Sequence, residues 1–377
     1  MLRDRYQPED IFERVPQMTA RIDPVLKELD HLLEDDELYQ RGRADFSRRR
    51  PRTQVSGRPS TPVEALLRML LLKHLYGWSY QETEDRVDEN LVLRWCCRLY
   101  WQAAPDDTTL IRWANTLQSE TLHALNDRVA ALAKQAKVTQ GRKLRLDATC
   151  VQTNIHHPTD SGLLVDGVRV LSRLVQRAKT MLANQVSNLK QLGRSRRRSA
   201  RQTAQILHRQ LRRKGEDKEA QQKQLYEKLV ETTEEMVKQA SRVLQHLRQC
   251  SQQQARRLAQ EREPVLPLIE QVIVQTRSLL LEGKKVTSEQ KVLSLFEPHT
   301  RAIPRHKGGA LVEFGRQVVL DEVEGRIASL RRDYGWGLCL LHGQEGMERW
   351  LGPGVLASNL RHIAAAVAVR SRVKETA

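Results

Sequence analysis

The sequence predicts a mostly helical α+β protein, and three observations carry that prediction. Apolar residues recur at helical spacing over 61–135 and again, almost free of glycine, over 163–282. Between them, Leu144, Leu146 and Ala148 alternate with Arg145, Asp147 and Thr149, the period of a strand. Short β-rich runs return over 291–323, before a last apolar helix. Aromatic residues make up only 5% of the chain, too few for a β-dominated core.

Residues 1–60 are polar and arginine-rich, and are read as a basic arm. The run from Arg41 to Arg52 includes Arg48, Arg49 and Arg50, placed either on a phosphate backbone or in a solvated linker. Residues 61–137 form a helical module. Thr61, Pro62 and Glu64 have the pattern of a capping box, and Gly77 ends the helix that follows. Ser79 and Glu82 form a second box, residues 91–100 a third helix, and Asp106 or Asp107 caps a fourth after Pro105. Short capped helices with tight turns are what a helix-turn-helix needs, and Arg112 lies where a recognition helix meets bases. A plain helical bundle is the alternative.

Residues 138–160 hold the strand and a loop containing His156, His157 and Pro158. Adjacent histidines are poorly arranged to share one metal, so both are read as loop residues. Residues 161–289 are read as a helical hairpin. Leu164, Val168, Leu171, Val175, Ala178, Leu182, Leu189 and Leu192 mark one seam. Leu229, Thr233, Met236, Ala240, Val243, Leu247 and Cys250 mark the other, and residues 268–282 form a returning helix. Arg196, Arg197 and Arg198 sit near the end of the first arm, as a DNA grip or as a solvated tip. In the remainder, 290–377, the runs 291–298 and 316–323 read as strands, with helix from Glu324 onwards. Trp95, Trp101, Trp113, Trp336 and Trp350 read as core.

The balance of 63 Lys and Arg against 46 Asp and Glu gives a net charge of +17, which favours a polyanionic partner, nucleic acid foremost. Five cysteines without a CxxC pair indicate neither a disulfide framework nor a zinc site. No apolar signal region opens the chain and no apolar run suffices to span a bilayer, so an intracellular, reduced setting is expected. There is no Walker-type loop, so no nucleotide cofactor is expected.

Beyond single residues, whole blocks resemble bacterial insertion-sequence transposases of the DDE class (ISNCY-like). LRLDATCVQTNIHHPTDSGLLVDGVRVL is similar to their first catalytic block, and GRPSTPVEALLRMLLLKHLYGWSYQETEDRV with PDDTTLIRWAN to their N-terminal helical domain. KVLSLFEPHTRAIPRHKG and EGRIASLRRDYGWGLCLLHGQEGMERWLGPGVLASNL are similar to their later blocks. The resemblance covers residues 55–365, the helical insertion less distinctly.

It implies an RNase H-like catalytic domain interrupted by the insertion. It also implies Mg²⁺ or Mn²⁺ held by Asp147 and Glu324 as catalytic carboxylates, and Arg331 as a DNA contact. The implied partners are the element's terminal inverted repeats and target duplex DNA, with a dimer to bring two ends together, in a bacterial cytoplasm at the nucleoid. The chain departs from the family in one place. Where the family has Tyr and Arg seven and four residues before the closing glutamate, this chain has Gln317 and Leu320. A strand runs almost directly into that helix, leaving no room for the fourth strand that carries the second aspartate. Asp321 and Glu322 are read as hairpin-end charges. The expectation is a transposase impaired by internal deletion. The alternative is a non-catalytic DNA-binding remnant that recognises element ends or inhibits an intact copy.

Overall fold

Asp23 starts the first helix of this computed structural model: its carboxylate accepts from the Val25 N–H at 3.0 Å, and Pro24 fills the first turn. The structure describes residues 3, 5–6, 22–48, 60–139, 146–181, 195–211, 218–284, 286–288, 290–304, 311–321 and 326–375. Helices dominate, with a small mixed sheet of four strands, as the α+β prediction requires. By its internal contacts the chain divides into two units: residues 1–154 with 317–377, and residues 155–316.

The first unit contains α1 (Pro24–Leu32), α2 (Asp36–Arg48), α3 (Val63–Tyr76), α4 (Tyr80–Glu89) and α5 (Leu91–Cys96). It continues with α6 (Asp107–Ala114), α7 (Ser119–Gln135) and β1 (Leu146–Thr153). After the second unit it resumes with α13 (Arg326–Asp333), β4 (Leu338–Cys339) and α14 (Gly343–Glu375). Residues 24–48 are therefore not an arm. In α2, Leu38, Tyr39, Gly42, Asp45 and Phe46 recur at helical spacing and are buried. One core joins Leu26 and Leu29 of α1, Leu66 and Met69 of α3, Val151 of β1, Trp336, and Leu360 of α14. The helical module is thus built into the same core as the first strand and the C-terminal helix.

Local signals explain several helix ends. Ser79 and Glu82 exchange both bonds of a capping box, Asp106 accepts from the Thr109 N–H at 2.5 Å, and Gly77 takes the left-handed φ of 69°. The box expected at Thr61 does not form. Helix α3 begins at Val63 without a side-chain cap, and Glu64 is buried. Its carboxylate instead pairs with Arg68 Nε and Arg5 Nε, each at 3.0 Å. Helix α5 is shorter than expected and ends at Cys96; Arg98 and Tyr100 follow with φ of 55° and 52°.

Arg68 is fully buried and ties α3 to its neighbours. Its Nη1 donates to Asp30 at 2.5 Å and to the Cys96 carbonyl at 3.0 Å, while Nη2 donates to the Leu33 carbonyl at 3.0 Å. Arg98 reaches the other oxygen of Asp30 at 2.9 Å. Arginine charge in this unit is thus partly spent on internal pairing.

An apolar cavity of about 80 Å³ lies in the same unit, lined in part by Leu38, Leu67, His74, Trp350 and Leu360. Burial, with the Lys73 charge beside it, pushes the His74 imidazole down from 6.5 to about 3. Across that interval the unfolded chain binds a proton that the folded chain does not, so stability falls as pH drops from 7 towards 4. Thermal unfolding at pH 7 and pH 5 should show a smaller drop for His74→Leu than for the parent chain. An equal drop in both would exclude His74 as its source.

The second unit contains α8 (Asp160–Met181), α9 (Arg197–Leu211), α10 (Lys218–Gln249), α11 (Gln253–Arg262) and α12 (Val265–Thr276). A π-turn over Arg277–Leu281 ends α12, where the sequence suggested plain helix. The Thr159 hydroxyl caps α8 by accepting from the Gly162 N–H at 3.1 Å. Both predicted seams are buried: Leu164, Val168, Leu171, Val175 and Ala178 on α8, and Leu229 to Leu247 on α10. Leu182, Leu189 and Leu192 lie outside the described residues.

Residues 291–298 do not form the expected strand. The Gln275 side chain replaces a ladder partner there: it donates to the Val292 carbonyl at 3.2 Å and accepts from its N–H at 2.9 Å.

The sheet order is β2-β3-β1-β4, with β2 (Arg301–Pro304) and β3 (Val312–Asp321). Strands β2 and β3 are antiparallel, with Arg301 opposite Gly315. Strands β1 and β4 are parallel, with Gln152 beside Leu338 and Thr153 beside Cys339.

Candidate functional site

Asp147 is the second residue of β1, and its side chain is exposed to solvent. One carboxylate oxygen accepts from the Ala148 N–H at 2.8 Å. Strand β4 meets β1 only at its far end, five residues beyond Asp147, about 17 Å along the strand at 3.3 Å per residue. The two residues that β4 offers are Leu338 and Cys339, neither of them an acid. Among the described residues no group of three His, Cys, Asp or Glu is arranged to hold a metal ion. Glu324 and Glu322 lie outside the described residues, and Asp321 is described only through its backbone.

His156 and His157 are loop residues, as expected. His156 Nε2 lies 3.5 Å from Asp166, and His157 meets the Phe314 ring edge-on at 5.4 Å. Arg331 is half-buried in the last turn of α13.

The basic candidates differ in what they are free to do. Arg48 ends α2, exposed but 3.3 Å from the buried carboxylate of Asp45. Arg49 and Arg50 lie outside the described residues. Arg112 is exposed on α6 beside Ile111, with Thr108 and Asn115 also open to solvent. Arg196 pairs with Glu235 at 2.8 Å, whereas Arg197 and Arg198 are exposed on α9 without an ion pair among the described residues.

Of the five tryptophans read as core, Trp336 is fully buried and Trp101 is not: it is 57% exposed in the turn after α5. Arg94 shapes that turn by donating to the carbonyls of Tyr100 and Gln102 at 3.2 and 2.6 Å.

Charge is distributed unevenly. Residues 61–137, the helical module, hold nine Lys and Arg against ten Asp and Glu. Around α4 the acids dominate, with Glu82, Asp85, Asp88 and Glu89 all exposed. The second unit, residues 155–316, holds 31 Lys and Arg against 16 Asp and Glu, which is +15 of the +17. The polyanion-attracting surplus therefore belongs to the helical insertion and not to the module with helix-turn-helix spacing. Phosphate contacts were expected both at Arg48, Arg49 and Arg50 and at Arg196, Arg197 and Arg198; a charge count over successive windows singles out the unit that holds the second group.

Residues 9–116 match the family model of a transposase domain, DUF772. The match spans α1 to α6, so the fold of the helical module and the family model concern the same part of the chain. It supports a transposase family and a transposase function in general. No curated protein and no solved structure gives a match to the chain. Among the described residues no helix is long and apolar enough to cross a membrane.

Proposed function

We propose that this chain is a DDE-type transposase that binds the ends of an insertion sequence but has lost the second catalytic aspartate, and so acts as a non-catalytic DNA-binding protein. One observation carries the reading. The strand parallel to β1 presents Leu338 and Cys339, neither an acid, and meets β1 only at Gln152 and Thr153, five residues beyond Asp147. Phosphodiester transfer in this class uses two hard divalent ions roughly 4 Å apart, held by several carboxylates. Among the described residues Asp147 is not joined by the further carboxylates that such a pair of ions requires.

What remains is recognition. The transposase-domain match over 9–116, the exposed face of α6 and the basic surplus of residues 155–316 all support DNA as the partner. Such a protein would occupy element ends and compete with an intact copy.

The test is a gel shift with a duplex carrying the terminal inverted repeats that flank the gene, against an unrelated duplex of equal length. The reading expects the repeat to bind more tightly, by on the order of a thousandfold at physiological salt. Equal affinity for both would remove end recognition from the account.

A further inference from the structure

Residues 167–215 contain 14 Lys and Arg and not one Asp or Glu. At the acid content of the whole chain, 46 in 377, a stretch of that length would hold about six. The stretch covers most of α8 and all of α9.

Helix α9 shows how this charge is presented. Ala200, Thr203 and Leu207 are buried, at the 3-4 spacing of a single inward stripe. Arg197, Arg198, Arg201, Gln202, Gln205, His208 and Arg209 are exposed. At about 100° per residue those seven occupy an arc of roughly 140°, opposite the buried stripe. From Arg197 to Arg209 the face is about 18 Å long, roughly five base-pair steps of duplex.

None of Arg197, Arg198, Arg201 and Arg209 has an ion pair among the described residues. Arg196, at the start of the helix, takes Glu235 of α10. On α8, Arg173 and Arg177 are exposed one turn apart and are likewise without an ion pair among the described residues. Like charges four residues apart on a helix repel. A face that keeps them without counter-charges suits an external polyanion, and the guanidinium fork matches phosphate oxygens.

We infer that the exposed arginine face of α9 is a clamp for the sugar–phosphate backbone of duplex DNA, indifferent to base sequence. The inference rests on the transposase reading for its choice of DNA, and it gives non-specific affinity a location separate from α6. A membrane surface is disfavoured because a membrane-seeking helix needs a broad apolar face free, and here Ala200 and Leu207 are buried and Ile206 alone is an exposed large apolar side chain among the described residues of α9.

The experiment uses the full chain and fluorescence anisotropy with a 25-base-pair duplex of scrambled sequence over a salt series. Replacing Arg197, Arg198, Arg201 and Arg209 together by Gln should lower the log–log salt slope by about 3 to 4, near 0.9 per phosphate contact. Binding at 0.15 M salt should weaken at least about tenfold. The matching set of Arg→Lys changes should keep both slope and affinity within about threefold.

A second measurement needs no variant: duplex bound to the parent chain should slow phenylglyoxal modification of these four arginines. If the parent chain binds and the Gln variant keeps the same slope, or if DNA leaves the four arginines unprotected, the clamp is wrong and the transposase reading stands. If the parent chain binds no duplex at all, both fall. Tighter binding to duplex RNA or to anionic vesicles of phosphatidylserine would overturn the assignment to DNA.

Discussion

Arg68→Ala is expected to destabilise the first unit by about 3–5 kcal/mol, the scale for removing one partner of a buried ion pair. A guanidinium has five N–H donors. Here Nε serves Glu64, Nη1 serves both Asp30 and the Cys96 carbonyl, and Nη2 serves the Leu33 carbonyl. Removing it leaves two carboxylates and two carbonyls in a region where Asp30 and Glu64 are 3% and 4% exposed. Arg98 and Arg5 compensate in part, because each holds the second oxygen of one of those acids. Arg68→Lys should fail nearly as badly, since one ammonium with three donors cannot reach four acceptors arranged around a plane. Urea unfolding followed by helical circular dichroism measures the loss. A change below about 1 kcal/mol for Arg68→Ala would mean that the network is not what fixes α1, α3 and α5 together.

The same network shows which parts of this fold were legible in the sequence. Ser79 with Glu82 and Gly77 were read correctly, and Asp106 was one of the two caps offered for its helix, because each acts on backbone within four residues of itself. Thr61 with Glu64 has the same pattern and failed, because Glu64 is claimed by Arg68 and Arg5, and no local rule contains those residues. Helix α2 was hidden by its charges: Arg41, Arg43 and Arg48 drew attention away from Leu38, Tyr39, Gly42, Asp45 and Phe46, which carry the helical period. Residues 291–298 looked like a strand because the run is short and rich in apolar residues, but at Val292 a glutamine side chain takes the place of a ladder partner.

The candidate site divides in the same way. The strand bearing Asp147 was legible from alternation alone. What stands beside that strand was not, because β4 lies almost two hundred residues further along the chain and is only two residues long. The seat of the positive charge was legible only in part, at Arg196, Arg197 and Arg198, for another reason. Net charge was read for the whole chain, and an excess concentrated in one unit is diluted by a nearly neutral one.

The second large effect expected is catalytic. Two ions about 4 Å apart stabilise the attacking and leaving oxygens together, a contribution of several kcal/mol, so losing that arrangement costs on the order of a thousandfold or more in rate. Among the described residues no second acid is placed to share a metal with Asp147, and the parallel strand begins about 17 Å further along β1. A carboxylate introduced by Leu338→Asp would therefore sit at the wrong end of the strand and should not restore activity.

The direct measurement is strand cleavage of an end-labelled inverted-repeat duplex by the full chain with Mg²⁺ or Mn²⁺, beside Asp147→Ala. The account predicts that both proteins bind the duplex and that neither yields cleaved strand above the protein-free control. Cleavage at the element end by the parent chain, abolished in Asp147→Ala, would contradict it.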